Sequence, residues 1–187
     1  AVVAYHSALQ FRGVSYSVWD RMQYATRARR RPFTYQGTEY QAIQVPAAIR
    51  ERDDMGGGVL TESRTGGKVQ VTSFERTLVD VLDDPAHGGG WEEVWRSLEM
   101  IEYFELDEVV RLTLLRQSAL TAARVGFYLD QHRKTLMVED RHLAPLRECS
   151  PRQPLHLDRQ RESGRFVKAW NLVVPGRVLA REWEEPL

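Results

Sequence analysis

A single cysteine, Cys149, in 187 residues excludes an intramolecular disulfide and any zinc site built on two or more thiolates, and it fits a reducing compartment. Net charge is lacking too. The 26 Lys and Arg balance 26 Asp and Glu, so no global field draws the chain to nucleic acid or to an anionic membrane, and binding of that kind must rest on a local patch. No stretch approaches the roughly 18 apolar residues of a membrane span. AVVAYHSAL is too short, and lacks the flanks, for a signal peptide. A soluble, cytoplasmic protein is the expectation. Internal repeats and low-complexity tracts are also missing. The two glycine tracts, DMGGGV and HGGGW, match neither G-x-x-x-x-G-K-[ST] nor G-x-G-x-x-G, so they read as hinges or turns and not as phosphate loops. His132, His142, Cys149 and His156 are separated by nine, six and six residues, which fits none of the short paired spacings of structural zinc. No cofactor or metal is expected.

What is present is enough apolar content, 42%, for one sizeable core. AVVAYHSALQF reads as a short amphipathic helix stopped at Gly13. From Tyr16 to Val45 the texture turns aromatic and β-branched, which predicts two or three antiparallel strands with QGT as a turn. Residues 51 to 67 hold five glycines and many charges and read as loop with a short strand near Val59 and Leu60, followed by the strand KVQVT. The period then becomes helical. GGGWEEVWRSLEMIEY puts Trp91, Val94, Trp95, Leu98 and Ile101 on one face and Glu92, Glu93, Arg96 and Glu99 on the other. LDEVVRLTLLRQ and SALTAARVGFYLDQHR give two more helices, and a further one near 139 to 149 must start or kink at Pro145. RQPLHLD and RFVKAWNLVVP close the chain as strands, the latter with alternation along its whole length.

The expected fold class is therefore α+β: an N-terminal helix with antiparallel strands, a central helical bundle, and C-terminal strands returning to the sheet. One domain over 1–187 is expected, with a strand-rich part at 14–72, a helical part at 73–150 and returning strands at 151–176.

Two stretches invite chemistry. In VQVTSFERTLVDVLDDP, Thr72 and Glu75 have capping-box spacing. Stepping by about 100° per residue separates an apolar arc through Phe74 and Leu78 from a charged rim of Arg76, Asp80 and Asp83. Arg76 and Asp80 are four apart and can pair, at about 0.2–0.5 kcal/mol on an exposed surface. The sharper alternative is an oxygen-ligand Mg²⁺ site in which Glu62 or Glu39 joins Asp80 or Asp83, as in a nuclease or nucleotidyltransferase-like enzyme using Asp80, Asp83 and Glu62. His6 beside Ser7 suggests an activated hydroxyl, but adjacent helical residues point about 100° apart. The second stretch, ATRARRRPF, concentrates Arg27, Arg29, Arg30 and Arg31 between two predicted strands. It suits phosphates or an acidic protein surface, or else serves as a solvated loop that blunts a sheet edge. A self-sufficient nucleic-acid binder is a further option, marked by steep salt dependence.

With the elements placed, YHSALQFRG, TSFERTLVDVLDDPAHGGGWEEVWRSLE, LDEVVRLTLL and TAARVGFYLDQH resemble the C-terminal domain of AbiEi-type antitoxins, the antitoxin and autoregulator half of type IV toxin–antitoxin systems. The similarity runs over residues 5 to about 175. Its signature block S-x-x-R-T-L-x-D falls on Ser73, Arg76, Thr77, Leu78 and Asp80, with Tyr5, His6 and Ser7 in the first block. The resemblance implies a non-enzymatic antitoxin and transcriptional regulator that opposes a cognate nucleotidyltransferase toxin, either directly or through the toxin's target. Operator DNA in that family is bound by an N-terminal winged helix-turn-helix, and this chain begins at the block that follows it. The reading that results is either a piece of a longer repressor or a stand-alone member, the start without Met favouring the piece, with Arg27, Arg29, Arg30 and Arg31 as the contact residues for partner or DNA.

Overall fold

The structure, a computed structural model, describes residues 1–183. The chain forms two compact units, Ala1–Gln117 and a second that begins at Ser118. The class is α+β.

The first unit contains β1 (Val2–Val3), α1 (Tyr5–Phe11), β2 (Arg21–Thr26), β3 (Phe33–Tyr35), β4 (Thr38–Gln44) and α2 (Ala47–Arg50). After these come β5 (Val59–Arg64), β6 (Gly67–Thr72), α3 (Phe74–Asp83), α4 (Trp91–Glu99) and α5 (Leu106–Leu114). Its strands make one mixed sheet in the order β3-β4-β2-β1-β6-β5. Only part of the expected antiparallel pairing between Tyr16 and Val45 is found. β3 and β4 form a hairpin closed by Gln36 and Gly37, both at positive φ, as a tight two-residue turn requires. β2 instead runs parallel to β4, from Arg21 opposite Glu39 to Thr26 opposite Gln44. β4 has slotted between β2 and β3, so the two strands that are consecutive in sequence are not neighbours.

α1 packs on β2 and β6 and against α3, which in turn packs on α4 and α5. Leu9, Leu78, Leu82, Trp95, Leu98 and Leu112 are buried at this junction. Each such side chain contributes about 1.5–3 kcal/mol relative to an exposed position.

The second unit contains α6 (Ala119–Gln131), α7 (Asp140–Glu148), β7 (Leu155–His156), β8 (Gly164–Val167), a 3-10 turn at Lys168–Trp170, β9 (Leu172–Pro175) and α8 (Gly176–Ala180). Ser118 caps α6 by accepting from the Thr121 amide at 3.2 Å. Pro145 lies inside α7, which a box of Glu139 and His142 has already started. The C-terminal strands do not return to the six-stranded sheet. They make their own, in the order β7-β9-β8.

The alternation of RFVKAWNLVVP breaks at its centre, where Asn171 adopts a left-handed conformation at φ 50°. Burial of Trp170 explains the break. The indole lies over Gly126 of α6, where any Cβ would run into the ring, and its Nε1 donates to Asp130 at 3.1 Å. A continuous strand would carry that side chain along the pleat instead of turning it into this slot.

Candidate functional site

α3 begins one residue later than the capping-box spacing suggests. Ser73 is the N-cap, its Oγ accepting from the Arg76 amide at 3.2 Å. The Thr72 hydroxyl is 2.7 Å from that of Thr77, and Thr77 donates to the Ser73 carbonyl at 2.7 Å. Glu75 does not reach back to the cap; it accepts from the Glu105 amide at 3.2 Å.

This start turns Arg76 and Asp80 inward. The expected charged rim is corrected by their burial, since Arg76 is 2% and Asp80 1% exposed. Arg76 Nε donates to Asp80 Oδ1 at 2.9 Å, and Arg116, 4% exposed and just beyond α5, donates to the same oxygen. The other arm of Arg76 donates to the carbonyls of Met55 and Gly57, both at 2.8 Å. The DMGGG tract is thereby explained. It wraps the guanidinium through left-handed glycines, and a Cβ on Gly58 would come within 2.6 Å of the Arg76 Cβ.

Two guanidiniums thus share one carboxylate. Asp80 Oδ2 and Arg116 Nη1 have no protein partner among the described residues. Burial, and then the Arg76 charge, pull Arg116 down to about 9. Burial likewise pushes the neighbouring Tyr5 hydroxyl up to about 12, against the opposing pull of Arg116. Breaking a buried pair of this kind by removing one partner costs about 3–5 kcal/mol, an order of magnitude above the exposed-pair value.

The first block of the signature is equally committed. His6 Nε2 lies 2.9 Å from Glu93 Oε1, and the His6 ring stacks on Trp19 at 3.8 Å with the planes 8° apart. The same Glu93 oxygen accepts from the Ser17 amide at 2.8 Å and from Ser97 Oγ at 3.3 Å. Ser7 Oγ accepts from the Gln23 amide at 2.7 Å, which ties α1 to β2. His6 and Ser7 therefore serve different partners. Glu93, assigned by helical spacing to the wet face of α4, is buried instead. Burial alone would raise its carboxyl; the His6 hydrogen bond and the Ser17 amide outweigh that and hold it below the ordinary glutamate range.

The acids proposed for Mg²⁺ are not gathered. Glu62 pairs with Arg12 at 2.8 Å, Asp80 is enclosed by arginines, and Glu39 is exposed on β4. Among the described residues no group of three or more His, Cys, Asp or Glu is placed to hold a metal ion. His142 accepts from the Glu139 amide at 3.0 Å, His132 Nδ1 is 2.7 Å from the Tyr128 carbonyl, and Cys149 is exposed.

The arginine cluster divides. Arg27 donates to the carbonyls of Arg52 and Asp53, at 2.5 and 2.7 Å, and Gln44 Nε2 donates to the Arg27 carbonyl at 2.9 Å. Its charge anchors the β2–β3 connection. Arg29, Arg30 and Arg31 are exposed, and no hydrogen bond or ion pair engages them among the described residues. Sequence reasoning missed Glu93 and Arg116. A wheel drawn on α4 places Glu93 with the other acids, and only the distant His6 reveals its role.

No protein-family model matches the chain, and no curated protein is detectably similar to it.

Proposed function

We propose that this chain is a non-catalytic α+β domain of an AbiEi-like antitoxin and transcriptional regulator, working in the cytoplasm by binding. It opposes a nucleotidyltransferase toxin, with Arg29, Arg30 and Arg31 as contact residues. One observation carries the binding reading. The signature side chains Tyr5, His6, Ser7, Ser73, Arg76, Thr77 and Asp80 are buried, and His6, Ser7, Arg76 and Asp80 bond to groups inside the fold, while the three arginines of the β2–β3 connection are exposed and unpaired. Guanidinium forks in that state suit the acidic surface or bound nucleic acid of a partner. Operator recognition in such a regulator would rest mainly on a winged helix, with these arginines in support.

Co-expression with a nucleotidyltransferase toxin of the type IV class tests the reading. Growth should be restored by the wild-type chain and less by a variant with Arg29, Arg30 and Arg31 replaced by alanine, at equal protein abundance. Failure of the wild-type chain to restore growth defeats the proposal. So does Mg²⁺-dependent turnover of nucleotides or nucleic acid that Asp80→Ala abolishes without unfolding the protein.

A further inference from the structure

The antitoxin reading leaves one face of the first unit's sheet without a role. Val3, Met22, Tyr24, Phe33, Tyr40 and Val69 line an apolar groove of about 460 Å³. Strand register assembles it. Met22 lies opposite Tyr40, Phe33 opposite Tyr40, and Val3 opposite Tyr24, and directly opposed residues project from the same face. The rings of Phe33 and Tyr40 stack with centroids 4.9 Å apart and planes 5° apart. Phe33 nevertheless keeps 50% of its surface in water, and Tyr35, two residues on, keeps 59%. Exposed aromatic faces beside a groove are a recognition feature, because hydrating them stabilises nothing in the fold.

Charge borders the groove at two places. Arg31 is two residues from Phe33, at most about 7 Å of chain, so the exposed run Arg29, Arg30 and Arg31 leads directly into the β3 end of the groove. Lys68, for which no ion pair exists among the described residues, lines it on β6. Glu39, the acid next to Tyr40, is opposite Thr34 in the hairpin and so points to the other face. Cations beside stacked π-faces match a single strand of nucleic acid, whose phosphates need the former and whose unstacked bases need the latter. A duplex has already stacked its bases, and an acidic peptide would leave the rings unused.

We propose that this groove binds single-stranded nucleic acid, with bases stacking on Phe33, Tyr35 and Tyr40 and phosphates held by Arg29, Arg30, Arg31 and Lys68. The site goes beyond the antitoxin reading; it shares Arg29, Arg30 and Arg31 with it and is tested apart from it through its aromatic residues. Fluorescence anisotropy of the full chain with labelled oligo-uridine, oligo-thymidine and a duplex of equal length tests it. Either single strand should bind more tightly than the duplex, and the stronger of the two identifies RNA or DNA as the source. Phe33→Ala should weaken binding on the order of tenfold while Phe33→Tyr preserves it. Tyr35→Ala, at a more exposed position, gives a second loss in a variant whose melting curve should match wild type. Replacing Arg30 and Arg31 by alanine should flatten the salt dependence.

Absence of binding at low salt overturns the proposal. So does duplex binding as tight as single-strand binding and insensitive to Phe33→Ala, which would mean phosphate contact alone. Binding of labelled poly-glutamate tighter than that of either strand also overturns it, in favour of an acidic protein partner. Toxin rescue by Phe33→Ala, scored in parallel, separates the two readings: lost strand binding with rescue intact bears on the groove and not on antitoxicity.

Discussion

Glu93 shows how one buried carboxylate can carry a pH dependence for the fold. Its folded value lies below the ordinary 4.5 because the His6 hydrogen bond and the Ser17 amide outweigh the cost of burial. For an acid whose folded value is depressed, the stabilisation is fully present above the unfolded value and is lost as pH falls through the folded one. The window therefore opens near 4.5 and extends downward. Thermal melts from pH 6 to pH 3, taken as about the range that brackets it, should show wild type losing Tm more steeply than Glu93→Gln at the acid end. Glu93→Gln should be the less stable of the two at pH 6. Parallel acid limbs would remove Glu93 from the titration. At this scale the sequence was least legible. Spacing on a helix says which side chains share a face, but not whether that face meets water. Charge places Arg76, Asp80 and Glu93 outward, yet each is buried because a group far along the chain meets it: the Met55 and Gly57 carbonyls for Arg76, Arg116 for Asp80 and His6 for Glu93. Nothing within a turn of those residues announces such a partner.

Whole elements were easier to read. The helices at α3, α4, α5 and α6, the turn at Gln36–Gly37 and the strand ending at Thr72 all follow from period and punctuation. Features set by distant partners escaped. The parallel pairing of β2 with β4 depends on a strand inserting between sequential neighbours, which no local pattern encodes. The break at Asn171 depends on an indole finding its slot over Gly126. The second case inverts an ordinary rule. Gly→Ala in a helix interior usually stabilises by about 0.5–1 kcal/mol. At Gly126 an added methyl would collide with the Trp170 ring, which packing fixes in place. Gly126→Ala should therefore destabilise the protein, by about 1–3 kcal/mol as overpacking generally does, and Trp170 fluorescence should report the displacement. A gain in Tm would show that the ring moves freely. Gly58 belongs with it in kind, since its missing side chain is what lets the loop reach Arg76.

For the whole molecule, equal numbers of acids and bases and a calculated isoelectric point near 7.2 mean that self-repulsion is weakest at neutral pH. The alternation of six-stranded and three-stranded sheets was not legible at this scale either, because the link at Gln117 and Ser118 carries neither glycine nor proline. A left-handed Gln117, φ 51°, and a serine cap do the punctuating instead. Balanced charge leaves the local patches to set colloidal behaviour. Turbidity and light scattering should show lowest solubility close to pH 7.2, relieved on either side. Replacing Arg29, Arg30 and Arg31 with alanine takes the chain from neutral to three charges negative, so the minimum should move to lower pH. The same variant removes the exposed guanidiniums that would bridge to acidic patches on neighbouring molecules, and added salt should then change its solubility less than that of wild type. If the minimum shifts but the salt response does not, charge balance and not the arginine patch governs self-association, and the patch would be free for a partner even in concentrated solution.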